Sequence, residues 1–325
     1  MNSKIVLDAI KPKRGPGNTW KATVPSKEII GCVYETSLPS EEITFVALKQ
    51  FLQENAKNFF SQKKIPGTRK KLSVPTAGSF NNCNGRWLEY IFAVYAWNAL
   101  AEINQANPDA DPYIYVKLPN NTIADAPDQE ERISVSWTSI LDEVHIGRIE
   151  RKKADLFEGE SSKLEASNPD AVILRLPRGV CSEILSPYSI IENISLDTQH
   201  KIDSLFSAYA GKIHALEEII AFISIKASTR SDRRYQFIVE GNSTKGLYAT
   251  AFSKESDLKV GRLMMNKYYA FSLEPSKPAD HEALDGLIMF ASLFNEAVGS
   301  TRAIDALYDC ETPSQVTEKI KTICT

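Results

Sequence analysis

Residues Ile219–Ser228 read IIAFISIKAS, and this stretch decides the fold. It is a nearly unbroken apolar run, rich in β-branched residues and too short for an independent helix, so it predicts a strand buried on both faces. Alternation along a strand places Phe222, Ser224 and Lys226 on one face and Ile223 and Ile225 on the other. A lysine ending so apolar a strand needs a partner or a solvent-filled cleft. Read alone, it is more simply a lysine just past the strand end, in water.

Working outward, Lys226–Arg234 (KASTRSDRR) is the densest local positive charge, and Asp232 opens a helical pattern reaching about Ser253. In that helix Arg233, Gln236, Phe237 and Glu240 recur at i, i+3, i+4 and i+7 and share a face. Upstream, Asn168-Pro169-Asp170 precedes the apolar run Ala171–Leu176, which places an aspartate at a strand mouth. Farther upstream, GSFNNCNGRWLEY (Gly78–Tyr90) opens a long helix to about Asn104 that is apolar on nearly every side, the pattern of a core helix. Glu89 sits within it, and a carboxylate there must be paired, near a helix end, or near a metal.

Other elements follow from the same rules. A helix is expected from about Ser40 to Lys63, strands over 112–118 and 262–273, and helical patterns over Ser136–Leu156, Thr198–Tyr209 and Lys212–Glu218. The C-terminal region offers a strand over Leu287–Leu293 and helices near Ala303 and Pro313.

At 325 residues, with 43% hydrophobic and 24% charged residues, the chain has the composition of an ordinary globular protein. No apolar run approaches a membrane span and the N-terminal residues carry no signal-peptide core, so a cytoplasmic location with no membrane partner is expected. Its 5 cysteines form no C-x-x-C pair and its 4 histidines are far apart, which argues against a disulfide framework or a zinc site. A net charge of −3 means that any nucleic-acid surface must be built by local concentration of basic residues.

Asp170 and Lys226 together form a Pro-Asp at one strand and an x-x-Lys at another. This is the metal-nuclease arrangement, in which carboxylates bind Mg²⁺ and the lysine meets the attacking water or the scissile phosphate. The acidic residue usual two positions before the lysine is here Ser224, so a further carboxylate must come from elsewhere, and Glu240 and Glu89 are the candidates. Arg230, Asp232 and Arg233 alternate donor, acceptor and donor, which suits the guanine O6/N7 and cytosine N4 groups of the major groove.

Taken together, GSFNNCNGRWLEY, SNPDAVIL and LEEIIAFISIKASTRSDRRYQFIVEGNSTKGLY (Leu216–Tyr248) resemble the CCGG family of type II restriction endonucleases, nearest to its RCCGGY-cutting members within the PD-(D/E)xK superfamily. The resemblance implies an α/β fold with a mixed central sheet flanked by helices. It implies a single endonuclease domain with a variable N-terminal region (about 1–75) and a C-terminal extension (about 255–325). It places Asp170 and Glu240 as Mg²⁺ ligands, Lys226 as the catalytic lysine and Glu89 as a further active-site carboxylate. Arg230, Asp232 and Arg233 would read the CC and GG steps, and Asn81 would touch the minor groove. The implied reaction cuts double-stranded DNA at a palindrome, leaving 5′ overhangs and 5′-phosphates. The implied partners are a second copy of the chain, with homotetramers known among relatives, and a cognate methyltransferase that forms no stable complex. A structure-specific or repair nuclease on the same core would keep Asp170 and Lys226 but have no use for the arginine–aspartate reader. A DNA-binding regulator would bind its site without cutting.

Overall fold

The computed structural model describes residues 3–6, 33–62, 64, 69, 71, 77–119, 136–156, 168–228, 231–253, 266–285 and 302–325. Their strands are β1 (Ser3–Val6), β2 (Val33–Ser37), β3 (Tyr113–Lys117), β4 (Ala171–Arg175), β5 (Asn193–Ile194), β6 (Ile219–Lys226), β7 (Lys267–Ser272) and β8 (Ala306–Asp309). Their α-helices are α1 (Phe45–Gln62), α2 (Ala77–Ala106), α3 (Glu143–Leu156), α4 (Leu196–Ala208), α5 (Ser231–Phe252), α6 (Pro278–Asp285) and α7 (Pro313–Cys324).

The central sheet has five strands in the order β3-β4-β6-β7-β8. Strand β4 is antiparallel to both β3 and β6, whereas β6, β7 and β8 run parallel. The sheet is therefore mixed, as expected. The parallel half needs crossover connections, which α5 and α6 provide. A smaller sheet pairs β1, β2 and β5.

Strand register sorts the side chains into two layers. Tyr115, Ile173, Ala221, Ile225 and Phe271 line one face, where Phe92 of α2 meets the Phe271 ring edge-on at 5.0 Å. Phe222 and Ser224 line the other, where the Phe222 ring lies 4.7 Å from Trp137 and 6.3 Å from Tyr248 of α5. Burying a side chain such as Phe222 stabilises the fold by roughly 1.5–3 kcal/mol. The long α2 is buried almost throughout Ile91–Ala101 because it lies between the sheet and α7. Thr312 caps α7 with Pro313 in its first turn, which accounts for the helix expected there.

Two expectations need correction. The helix over Lys212–Glu218 is only a 3₁₀ turn at Leu216–Glu218. Gly211 takes a φ of 69° after α4, and Ile213 then bridges Leu141 in extended form, so the chain cannot re-enter a helix there. The helix near Ala303 is instead the approach to β8, whose residues pair with β7. The strand expected at Leu287–Leu293 lies outside the described residues. None of the helices in the described residues is long and apolar enough to cross a membrane.

Candidate active site

Asp170 stands immediately before β4, one residue ahead of Ala171, which pairs with Ile223, so the register sets it opposite Ser224. Alternation turns its side chain to the α5 face, beside Ser224. The turn that carries it is pinned: Asn168 accepts a hydrogen bond from the Trp137 backbone and donates to the Pro119 carbonyl, while Leu118 N–H donates to the Asp170 carbonyl at 3.0 Å. Asp170 Oδ2 then accepts from the Ile225 backbone at 2.5 Å and from Lys226 Nζ at 3.2 Å, and it lies 3.2 Å from Ser224 Oγ, whose one proton it shares with Glu240.

Glu240 reaches the same point from α5. Its Oε2 accepts from Ser224 Oγ at 2.7 Å and from the Tyr268 hydroxyl at 3.1 Å, and its Oε1 lies 3.7 Å from Lys226 Nζ. The face shared by Phe237 and Glu240 is thus turned inward, with Lys226 Nζ lying 5.9 Å above the Phe237 ring. The side chains of Lys226, Asp170 and Glu240 are 13%, 16% and 10% exposed, enclosed enough for charge to matter and open enough for a ligand to enter.

Electrostatics show which charge the site leaves unsatisfied. Burial works against the charge on Lys226, but Asp170, Glu240 and Glu89 outweigh it and hold its pKa above that of a free lysine. Burial drives the Glu240 carboxyl upward; Lys226 pulls it down and Asp170 pushes it up, and it stays raised. Glu89 comes from α2, in the layer on the opposite face. Burial and then the nearby Asp170 charge push it up to about 7, against the pull of Lys117, Lys226 and Arg86. Two carboxylates with raised pKa values mark a place where added positive charge is stabilising.

Among the described residues, no three His, Cys, Asp or Glu side chains already form a metal cage. The donor set nonetheless fits a hard divalent cation. Asp170 and Glu240 both present oxygens to a single hydroxyl, and Mg²⁺ keeps several waters and needs only one or two carboxylates.

The family model for the Cfr10I/Bse634I restriction endonuclease matches residues 35–325. The chain belongs to that family. It is a type II restriction endonuclease, a site-specific deoxyribonuclease, and enzymes of the Cfr10I/Bse634I family use divalent metal ions. It is 32% identical over 216 residues to the type II restriction enzyme Cfr10I of Citrobacter freundii, covering 63% of this chain and 68% of that protein. The fold matches Bse634I restriction endonuclease with a TM-score of 0.67 at 23% identity, over 87% of this chain and 86% of that one. It also matches Bse634I with cognate DNA, with a TM-score of 0.71 at 20% identity over 99% and 97% of the two chains.

Of the residues singled out from sequence, Asp170, Lys226 and Glu240 come together, and Glu89 stands near enough for its charge to act on Asp170 and Lys226. Arg233 lies on the first turn of α5, where its guanidinium donates to Gln236 Oε1 at 3.0 Å. Arg234 turns the other way and pairs with Asp280 of α6 at 3.0 Å, which anchors the start of α5. Arg230 and the side chains of Asp232 and Asn81 lie outside the described residues. Sequence reasoning missed Asn168 and Tyr268, both set by long-range contacts. The one available signal was that Asn168 belongs to the same turn as Asp170.

Proposed function

We propose that the chain cuts both strands of double-stranded DNA at a palindromic site with a CCGG-type core, using Mg²⁺ and leaving 5′ overhangs with 5′-phosphates. The observation that carries this reading is the convergence of Asp170 and Glu240, from separate elements, on the Ser224 hydroxyl and the Lys226 ammonium of β6. Ser224 occupies the position where a carboxylate is usual, and Glu240 supplies the missing charge through space.

In this reading Asp170 and Glu240 hold the metal ion. When bound, Mg²⁺ supplies positive charge to the phosphate and makes a coordinated water more acidic. Lys226, kept charged by its carboxylates, donates to the attacking water or to an oxygen of the scissile phosphate. Glu89, raised to about 7 by burial and then by Asp170, is the further carboxylate of the site, and its partial protonation limits repulsion among the acids. Arg230, Asp232 and Arg233 read the CC and GG steps in the major groove, and Asn81 contacts the minor groove. The whole chain acts as a single endonuclease domain in the cytoplasm, with the regions about 1–75 and 255–325 as its variable parts. Two strands need two active sites, so the working form is at least a homodimer matched to the palindrome, and a homotetramer is its larger form. A cognate methyltransferase protects the host site without joining the complex.

Run-off sequencing of plasmid digested in Mg²⁺ tests the reading. Discrete fragments with both strands cut before the first C of a CCGG-type core are expected. A smear, or cutting only at junctions or damaged sites, would contradict it.

A further inference from the structure

A carboxylate on β6 would be held by the strand ladder, but Glu240 sits on a helix and moves wherever the helix moves. Its reach to Asp170 therefore depends on how α5 is seated against β7 and the segment leading into β8. That seat is unusually close. A Cβ at Gly241, the next residue, would fall 2.3 Å from the Ala303 carbonyl oxygen and 3.0 Å from its carbon. Only glycine lets the two backbones meet at this point. One turn farther along α5, Lys245 is 1% exposed and donates to the Arg302 carbonyl at 2.7 Å and to Asp305 Oδ2 at 2.6 Å. The same Asp305 oxygen accepts from the Tyr268 backbone at 2.7 Å, and Asp305 N–H donates back to the Tyr268 carbonyl at 2.8 Å. The Tyr268 hydroxyl then donates to Glu240 Oε2. The path closes on itself: Glu240 to Tyr268, to Asp305, to Lys245, and back along α5 to Glu240.

We propose that Gly241, Lys245, Tyr268 and Asp305 are positioning residues that fix Glu240 at the metal site, compensating for Ser224 in the strand position. The inference rests on Glu240 being a metal ligand, as proposed above. Losing a group that orients a metal ligand typically costs about 10- to 100-fold in metal affinity or activity. A purely stabilising cluster would instead change melting and leave metal affinity alone.

The test compares Tyr268→Phe, Gly241→Ala and Glu240→Gln with the wild type in the full-length protein. Mg²⁺ is titrated calorimetrically into the complex with an uncleavable analogue of the DNA site, and thermal melting and Mg²⁺-free DNA binding are measured alongside. Tyr268→Phe and Gly241→Ala should each weaken Mg²⁺ binding and raise the half-saturating Mg²⁺ for cleavage by about ten-fold, with Mg²⁺-free DNA affinity changed by less than about two-fold. Tyr268→Phe removes one hydroxyl and retains the backbone bond to Asp305, so it decides the matter even if Gly241→Ala fails to fold. Wild-type Mg²⁺ binding in Tyr268→Phe, with Glu240→Gln defective, overturns the positioning role and leaves the metal site standing. Wild-type Mg²⁺ binding and cutting in Glu240→Gln overturns both.

Discussion

Two enclosed lysines, one on β6 and one on α5, show how this chain separates chemistry from support. Around Lys226 stand Asp170, Glu240 and Glu89, and together they prevail over burial and raise its pKa. Around Lys245 the described residues place one close carboxylate, Asp305, and burial prevails, so its pKa is lowered. The unsatisfied charge at the first centre is negative and suits an incoming cation. At the second, the ammonium is already bound to a carboxylate and a carbonyl, and the side chain is 1% exposed. Acids show the same contrast. Burial works against the Asp142 charge, but the His145 backbone and the His214 and His145 rings outweigh it and lower the pKa to about 2, whereas Glu89 is raised to about 7. The teaching is that a buried charge alone does not mark a functional site; the sign of what is left unsatisfied does.

The largest expected effect breaks the open centre. Asp170→Ala or Lys226→Ala should reduce cleavage by at least about a thousand-fold while leaving sequence-specific binding largely intact. Single-turnover cutting and gel-shift titration on the same DNA check this. Arg233→Ala should do the reverse and remove specific binding, by about ten- to a hundred-fold at the guanine it reads, as competition against variant sites would show.

Breaking the closed centre should appear first as lost stability. Lys245→Met removes the enclosed cation from Asp305 and leaves it beside the exposed Lys267 at 3.3 Å. Chemical denaturation should show a loss of about 3 kcal/mol, with cutting still reached at high Mg²⁺. The smallest effects are slopes with pH. The Glu89 carboxyl is raised on folding, so its contribution to metal-free stability is present at low pH and lost as pH rises through about 7. Glu89→Gln should remove that slope between about pH 4.5 and 7. The Asp142 carboxyl is lowered on folding, so its contribution is present above about pH 4 and lost as pH falls toward 2. The melting gap between wild type and Asp142→Asn should close over that interval. Melting curves at stepped pH read both, and slopes of the same sign would contradict the contrast.

Much of this was legible in the sequence because it is local. The apolar run IIAFISI specified β6, and period-two alternation set Ser224 and Lys226 on one face. Helical spacing put Phe237 and Glu240 together before their surroundings were known, although Glu240 on its own reads as a solvated helix charge. That it is buried follows from α5 lying across the sheet, which no single segment encodes. Lys245 and Asp305 are sixty residues apart in sequence, and Tyr268 touches Glu240 only because β7 runs parallel to β6. The misread stretch at Lys212–Glu218 has helical composition, but Gly211 and the Ile213 bridge override it.

The most direct test is a crystal structure with cognate DNA and a non-catalytic divalent ion. The account predicts the ion between the carboxylates of Asp170 and Glu240, with the Lys226 ammonium turned to the scissile phosphate. An ion bound elsewhere, or a scissile phosphate remote from Lys226, would contradict it.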